Sequence, residues 1–565
     1  MVNLKANPFF LDDAAIDWVN RTRDAMSVEE KAGQLFCVLF KEAKQEEFDY
    51  VYSILSPGGC MYRVIPTERA VQATNTLQQR SRIPLLIAAN LEKGGNGIVS
   101  EGTLVGSPME IAATDETAMA EKMAAVCAEE AKAVGANWAF APIIDIDSNF
   151  RNPITNTRTF GSDPERVRRM GAAYVRTVQA RGLAASIKHF PGDGQDERDQ
   201  HLVTSINSMD CDTWMETYGA AYKAGIEAGS LTAMIGHILQ PAWTRRLNPA
   251  IRDEEMLPGS LSPELLQGLL RGELGFNGLI CTDATTMAGY TLAMSRRDAV
   301  PASIAAGCDM FLFARNLEED YGFMLEGIRK GVITPERLNE AVTRILAVKA
   351  ALGLHRGVKE VNAEKAKEIV GCAQHQAWAE ECAEKGITLV KEQPGVLPLT
   401  PEKYKRILFY TIEPPAGGEG NYKVAAACAK VRGLLEKEGF QVDDFVPQPY
   451  GEGFTTKYEE IVQNYDLILY VANLSTKSNQ TVVRIEWKQP MGADCGHYIN
   501  DVPTVFVSLE NPYHLLDFPR VKTYINCYSN NDHCIHQLVE KLMGRGTFQG
   551  QNPVDPFCGK WDAHL

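Results

Sequence analysis

The densest run of reactive side chains is Lys188-His189-Phe190-Pro191-Gly192-Asp193-Gly194, followed by Asp199-Gln200-His201. Asp199 and His201 are two residues apart, a spacing that in extended backbone projects both side chains to one side. An aspartate so placed accepts from one imidazole nitrogen, fixes the tautomer and leaves the other nitrogen free to exchange a proton. The alternative is an ordinary surface-loop histidine. A second candidate is Asp283, at the end of the apolar run Gly278-Leu279-Ile280-Cys281-Thr282. A buried strand delivering one carboxylate suits a nucleophile or base, although an aspartate there could equally cap a helix beginning after Ala284. A third is Arg158 in Asn156-Thr157-Arg158-Thr159-Phe160-Gly161-Ser162-Asp163-Pro164. Its guanidinium could clamp hydroxyls or a carboxylate, while Ser162 or Asp163 caps the next helix with Pro164 in its first turn.

Two further patterns carry no chemistry. Cys372-Ala373-Gln374-His375 has a spacing found in metal sites, but no second pair follows it, so it reads as helix surface. Gly417-Gly418-Glu419-Gly420-Asn421 resembles a phosphate-cradling turn, but it lacks the full glycine fingerprint and its acidic member would repel phosphate. It reads as a plain turn between strand and helix. No metal and no cofactor is expected.

These residues need elements that bring them together. Between about residues 28 and 355, eight short apolar runs, at 34–40, 59–62, 84–89, 137–141, 184–187, 231–235, 278–281 and 309–313, alternate with amphipathic stretches such as 116–134, 164–181, 211–228 and 263–274. Near-continuous apolar runs suit parallel strands buried on both faces. Eight of them, each followed by a helix, suit a (β/α)8 barrel of the TIM type, with a doubly wound sheet as the rival. The polar residues decide for the barrel. Asn90 and Glu92, Asp145, Lys188 and His189, His237, Asp283 and Arg315 all fall at carboxyl ends of different runs, and they converge on one face only if the sheet closes.

Residues 358–379, rich in Lys, Glu and Ala, read as a connecting helix. Beyond it, strands at 406–411, 467–472, 504–508 and 523–528, with helices near 424–438 and 535–543, make a smaller α/β sandwich domain. The expected organisation is a barrel domain at 1–357, a helical linker at 358–375 and a C-terminal α/β domain at 376–565.

Composition bounds the ligands. The chain has 565 residues, 45% apolar and 23% charged, ordinary values for a soluble globular protein. Its 57 basic and 72 acidic residues leave a net charge of −15, which disfavours a nucleic-acid backbone or an anionic membrane as partner. Small neutral or polar molecules remain. Thirteen cysteines without paired spacing fit a reducing compartment. The first apolar run, Pro8-Phe9-Phe10-Leu11, is shorter than the ~7–15 residues of a secretory signal. No window approaches the ~18 apolar residues of a membrane span. The expectation is a cytoplasmic monomer or homodimer.

Together, Lys188-His189-Phe190-Pro191-Gly192-x-Gly194, Asp199-x-His201, the Arg158 to Pro164 motif and Thr282-Asp283 resemble glycoside hydrolase family 3, and within it the bacterial β-N-acetylglucosaminidase (β-N-acetylhexosaminidase) branch. Ser27-Val28-Glu29-Glu30-Lys31-Ala32-Gly33-Gln34-Leu35-Phe36 is similar to the family's opening helix, and Ala306-Gly307-Cys308-Asp309-Met310 to its last strand. The stretch from Gly386 to Leu399 is similar, more weakly, to the start of its second domain. The resemblance implies that Asp283 is a nucleophile forming a covalent glycosyl-enzyme, that His201 is the acid/base with Asp199 as its partner, and that Arg158, Lys188 and His189 hold sugar hydroxyls. A histidine then replaces one carboxylate of the usual retaining pair. Its unperturbed pKa of ~6.5 suits it to protonate a leaving oxygen and then to deprotonate water.

The chain also departs from the branch. Where Asp-x-Glu-Gly-Gly with following arginines is usual, it has Asn90-Leu91-Glu92-Lys93-Gly94-Gly95-Asn96-Gly97 and no arginines. The resemblance implies that Asn90 and Glu92 grip the far side of the terminal sugar, and a neutral Asn90 makes a weaker contact there than a carboxylate. Asp193 replaces the usual histidine of the turn, and Ala284 an acid often found after the nucleophile. The implied activity is retaining, exo-acting removal of terminal GlcNAc from small glycans, such as chitin or cell-wall fragments. One alternative is a β-glucosidase or broad β-glycosidase with a carboxylate acid/base from the second domain, for which Glu419 would be the residue to mutate. Another is a phosphorylase, since a neutral imidazole does not repel phosphate as acceptor. A catalytically silent sugar-binding barrel is the non-enzymatic alternative, and both Asp283 and His201 are present against it.

Overall fold

The computed structural model describes residues 2–414, 426–446, 457–476, 478–487, 489 and 492–565. The glycine-rich turn at 417–421, Glu419 included, lies outside them. The chain packs as two compact units: Met1–Leu104, Ala120–Asn149 and Pro164–Gln376 in one, Val105–Met119, Phe150–Asp163 and Ala377–Leu565 in the other.

The first unit is a (β/α)8 barrel. Strands β1 (Cys37–Phe40), β2 (Gly59–Tyr62), β3 (Leu86–Ala89) and β4 (Trp138–Ala139) pair in parallel and in sequence order. So do β5 (Ser186–Phe190), β6 (Thr232–Ile235) and β7 (Leu279–Thr282). Parallel bridges from Trp138 to Ala184 and from Ile143 to Lys188 join the two halves. The ring closes through residues 310–311, which bridge Met310 to Cys281 and Phe311 to Phe36. The strand expected at 309–313 is therefore two single bridges rather than a ladder. Side-chain contacts fix that segment instead. Asp309 accepts from the Ile280 N–H at 2.9 Å and from Arg271 at 2.8 Å, and it also pairs with Arg337.

The amphipathic stretches form helices at Thr117–Ala133 and Pro164–Ala180. The stretch at 211–228 becomes Cys211–Trp214 and Ala220–Glu227 with a wider turn at Met215–Gly219 between them. The single connecting helix expected at 358–379 is instead two, Ala363–Ile369 and Ala373–Gly386. Gly371 lies between them with φ +68°, a left-handed conformation that ends a helix and that glycine adopts at no steric cost.

The second unit holds a six-stranded sheet made from β8 (Thr388–Lys391), β9 (Arg406–Ile412), β10 (Gln441–Asp444), β11 (Leu467–Ala472), β12 (Thr504–Ser508) and β13 (Thr523–Asn526), in the order β8-β13-β12-β11-β9-β10. Only β8 runs antiparallel to its neighbour. Alternation sorts the strand residues onto two cores. Ile407, Phe409, Leu469 and Val505 pack with helices Ala427–Lys437 and Asp532–Leu542, while Leu408, Tyr410, Tyr470 and Phe506 pack on the other face. The strand β10 was not anticipated, because Gln441-Val442-Asp443-Asp444 carries one apolar residue in four.

Candidate active site

Asp283 follows β7 directly, and its main-chain N–H donates to the Ile235 carbonyl at 2.8 Å, so its backbone is fixed to the end of β6. Its Oδ1 accepts from the Ala284 N–H at 2.7 Å. The next helix, Ala288–Thr291, has Met287 at its cap position, so Asp283 is not a helix cap. Its side chain is 16% exposed, and Oδ2 lies 3.9 Å from His189 Nε2. Burial pushes the carboxyl pKa up, but the surrounding imidazoles, His189 foremost, and the Ala284 N–H outweigh it and hold Asp283 below the ordinary carboxylate value.

His189 is oriented from behind. Its Nδ1 bonds Asp145 Oδ2 at 2.7 Å, and Asp145 Oδ1 accepts the main-chain N–H groups of His189 and Asp193. Asp145 is fully buried. Lys188 pairs with Glu92 at 2.8 Å, both side chains being largely buried, so β5 and the loop after β3 are tied at the carboxyl end of the barrel. Asn90, the residue after β3, is exposed.

His201 Nδ1 is 2.6 Å from Asp199 Oδ1, which also accepts the His201 main-chain N–H at 2.8 Å. Asp199 is buried and the His201 side chain is 26% exposed. With Nδ1–H donating to the carboxylate, Nε2 is the nitrogen that can exchange a proton. The loop is held to the segment after Asp283, because Ala288 and Gly289 donate to the carbonyls of His201 and Gln200, each at 3.0 Å. His201, Asp199, Asp283, His189, Lys188 and Glu92 thus belong to one compact unit. Arg158 belongs to the other, in a loop where its Nη1 donates to the Ile154 carbonyl at 3.2 Å.

Sequence reasoning undervalued His237. It is buried, its Nδ1 is 2.8 Å from Ser260 Oγ, and its Nε2 is 3.1 Å from the Ala284 carbonyl. A carbonyl can only accept, so Nε2 carries the hydrogen and Nδ1 accepts from the serine. Burial pushes this imidazole down to about 4, so it stays neutral beside Asp283. The signal for it was its place at the end of an apolar run. His375, expected on a helix surface, is instead buried, with Nδ1 2.8 Å from Glu130 and Nε2 3.1 Å from Glu129. Two carboxylates in reach keep it inside. Among the described residues, no group of three or more His, Cys, Asp or Glu could hold a metal ion, and no helix is long and apolar enough to cross a membrane.

Residues 27–348 match the model of the glycosyl hydrolase family 3 N-terminal domain. Over their whole lengths, this chain and a β-N-acetylglucosaminidase/β-glucosidase of Cellulomonas fimi are 51% identical. Among solved structures, the β-glucoside phosphorylase BglX is 48% identical with a TM-score of 0.93, covering 99% of each chain. A family 3 β-N-acetylglucosaminidase from Paenibacillus sp. is 25% identical with a TM-score of 0.79, covering 94% of this chain and 99% of its own.

Proposed function

The chain belongs to glycoside hydrolase family 3, and we propose that it is a retaining, exo-acting β-glycosidase for terminal GlcNAc or glucose that passes the sugar to phosphate in preference to water. One observation carries this reading: the side chain oriented for proton exchange beside the segment after Asp283 is an imidazole, His201, with Asp199 at 2.6 Å from its Nδ1; in the proposed reading this imidazole, and not a carboxylate, is the acid/base. In the first step Asp283 attacks the anomeric carbon while imidazolium His201 gives its Nε2 proton to the leaving oxygen. The glycosidic C–O bond breaks and a sugar ester on Asp283 forms. In the second step dihydrogen phosphate gives a proton to neutral His201 and attacks the same carbon. The ester bond breaks, Asp283 leaves as carboxylate, and the products are a sugar 1-phosphate and imidazolium His201. A carboxylate in the place of His201 would carry a negative charge during this step and repel the anion, which the neutral ring does not.

Lys188, His189, Glu92, Asn90 and Arg158 are assigned to the hydroxyls of the terminal sugar. The Cellulomonas fimi relative's double name supports GlcNAc and glucose as alternative sugars, and the BglX name supports phosphate as acceptor. Hydrolysis is the second reading, favoured by the hexosaminidase name of the Pseudoalteromonas piscicida relative, 29% identical over 361 residues. The test is to follow nitrophenol, free sugar and sugar 1-phosphate from the 4-nitrophenyl β-glycosides of GlcNAc and glucose, with and without phosphate. The expected result is sugar 1-phosphate as main product and faster nitrophenol release with phosphate. Free sugar alone, at a rate indifferent to phosphate, rules phosphorolysis out. Full activity in Asp283→Asn rules out the nucleophile assignment.

A further inference from the structure

Gln200 occupies the variable position of Asp199-x-His201, and it is buried although its two neighbours are the acid/base pair. Its amide makes two contacts of opposite sense. Oε1 accepts the His237 main-chain N–H at 2.7 Å, and Nε2 donates to Asp193 Oδ2 at 3.0 Å. Its main-chain carbonyl accepts from Gly289 at 3.0 Å. A Cβ at Gly289 would stand 2.9 Å from that carbonyl oxygen, so the glycine is what permits the approach.

Each partner of Gln200 is itself fixed. Asp193 Oδ1 accepts the Gly194 N–H at 2.7 Å, the Asp193 N–H donates to Asp145 Oδ1 at 2.8 Å, and the Asp193 carbonyl accepts from Tyr218 Oη at 2.6 Å. His237 holds the Ala284 carbonyl, one residue past Asp283. The Gln200 side chain therefore ties the loop of His201 to the turn after β5 and the end of β6, and its main-chain carbonyl ties it to the segment after β7. The amide cannot be reversed, because a main-chain N–H needs an acceptor and a carboxylate needs a donor.

We propose that Gln200 is a positioning residue: by bridging Asp193 and the His237 N–H, it holds the Asp199–His201 pair at a fixed distance from Asp283, and Asp193 is its required counterpart. Touching no reacting atom, it acts on the proton transfers that His201 performs and on nothing else. The inference rests on the assignment of His201 and Asp283 above.

The test separates steps that need His201 from steps that do not. With 4-nitrophenyl β-N-acetylglucosaminide and water or phosphate, both half-reactions use the imidazole. With the 2,4-dinitrophenyl analogue and azide, the leaving group departs unprotonated. Azide then attacks the anomeric carbon and releases the Asp283 carboxylate, with no proton to remove. Gln200→Glu sets two carboxylates against each other. It is expected to lower kcat on the first substrate about 100-fold with KM within about twofold, the scale of a displacement near 1 Å. On the second substrate with azide it should stay within about threefold of the wild type. Adding Asp193→Asn to Gln200→Glu reverses donor and acceptor and should restore most of the lost kcat. A loss shared equally by both assays, no loss in either, or no recovery in the double variant overturns the proposal. His201→Ala, run alongside, separates the two levels. Selective loss in His201→Ala without loss in Gln200→Glu defeats the positioning role alone, whereas full activity of His201→Ala without azide defeats the acid/base assignment and the positioning role with it.

Discussion

An imidazole can serve as acid in one step and base in the next only if its tautomer is the same each time the site is refilled. In the acid/base role proposed for His201, Asp199 would enforce that, because its Oδ1 is 2.6 Å from His201 Nδ1 and accepts the main-chain N–H as well. In Asp199→Asn the amide can present a donor to Nδ1 and leave the hydrogen on Nε2, the wrong nitrogen. The expected loss in kcat is about 10²- to 10⁴-fold with 4-nitrophenyl glycosides, and a steady-state assay checks it. A second prediction concerns pH. As the proposed nucleophile, Asp283 must be ionised to attack, and the imidazoles around it, led by His189, hold its pKa below the ordinary carboxylate value against the effect of burial. As pH falls through that pKa the nucleophile is protonated and kcat/KM drops. His189→Gln removes the largest opposing contribution, so the acid limb of the kcat/KM profile should move to higher pH, and an unmoved limb would refute the electrostatic role. Asp199, His201 and Asp283 stand out in the sequence as candidates because a two-residue spacing and a strand-end carboxylate are local patterns. The bonds of Asp193, Gln200 and His237 were not legible, although Asp193 and His237 stood out by position, because their partners are main-chain groups and side chains brought together only by folding.

Among elements, the eighth barrel position shows how a strand can be replaced by side chains. Residues 310–311 make only single bridges, yet Asp309 just before them gathers Arg271, Arg337 and Arg344, two of which also pair with Glu340. Burial pushes Arg271 down to about 9 despite the nearby Asp309. Asp309→Ala would leave these guanidinium groups largely buried against one remaining carboxylate, at a cost of about 3–5 kcal/mol, readable as a lower Tm in thermal denaturation. The apolar pattern Met310-Phe311-Leu312-Phe313 announced a strand, while the salt-bridge network at Asp309 just before it draws on residues up to 38 positions away. Lys349 offers a second test on the helix Pro335–Ala351. It is fully buried, donates to Gln34 Oε1 at 2.7 Å, and burial pushes its pKa down to about 7. Unfolded, the amine regains a value near 10.4. Between those two values the unfolded chain binds one more proton than the folded one, so this residue makes stability rise with pH from about 7 upward and contributes no slope below. Lys349→Met should remove that slope, and the difference between wild-type and variant unfolding free energies at pH 7 and pH 8.5 isolates it from the buried thiols.

At the scale of the molecule, the second unit does more than follow the barrel in sequence, because it includes residues 105–119 and 150–163 from within the first half of the chain. The second of these segments carries Arg158, and within that unit it is held by groups from beyond residue 500. Asn156 Nδ2 donates to Asn511 Oδ1 at 3.0 Å, the Ser162 N–H donates to the Pro553 carbonyl at 3.1 Å, and Phe150 and Tyr513 rings lie 6.2 Å apart. At Gly161 the approach to Pro553 is so close that an added Cβ would meet its carbonyl oxygen at 2.3 Å. None of this was legible, since Asn511 lies 355 residues from its partner and has no motif around it. Within the second unit these contacts set the shape of the segment that carries the Arg158 guanidinium. Asn511→Ala removes the acceptor of Asn156 and should speed amide hydrogen exchange across 150–163 while leaving Asp199 to His201 protected. With Arg158 in its assigned role, KM for the aryl glycoside should rise up to about tenfold, the equivalent of one lost hydrogen bond of ~1.4 kcal/mol, with kcat little changed. Faster exchange without a change in KM would leave the packing argument standing and take the sugar-binding role away from Arg158.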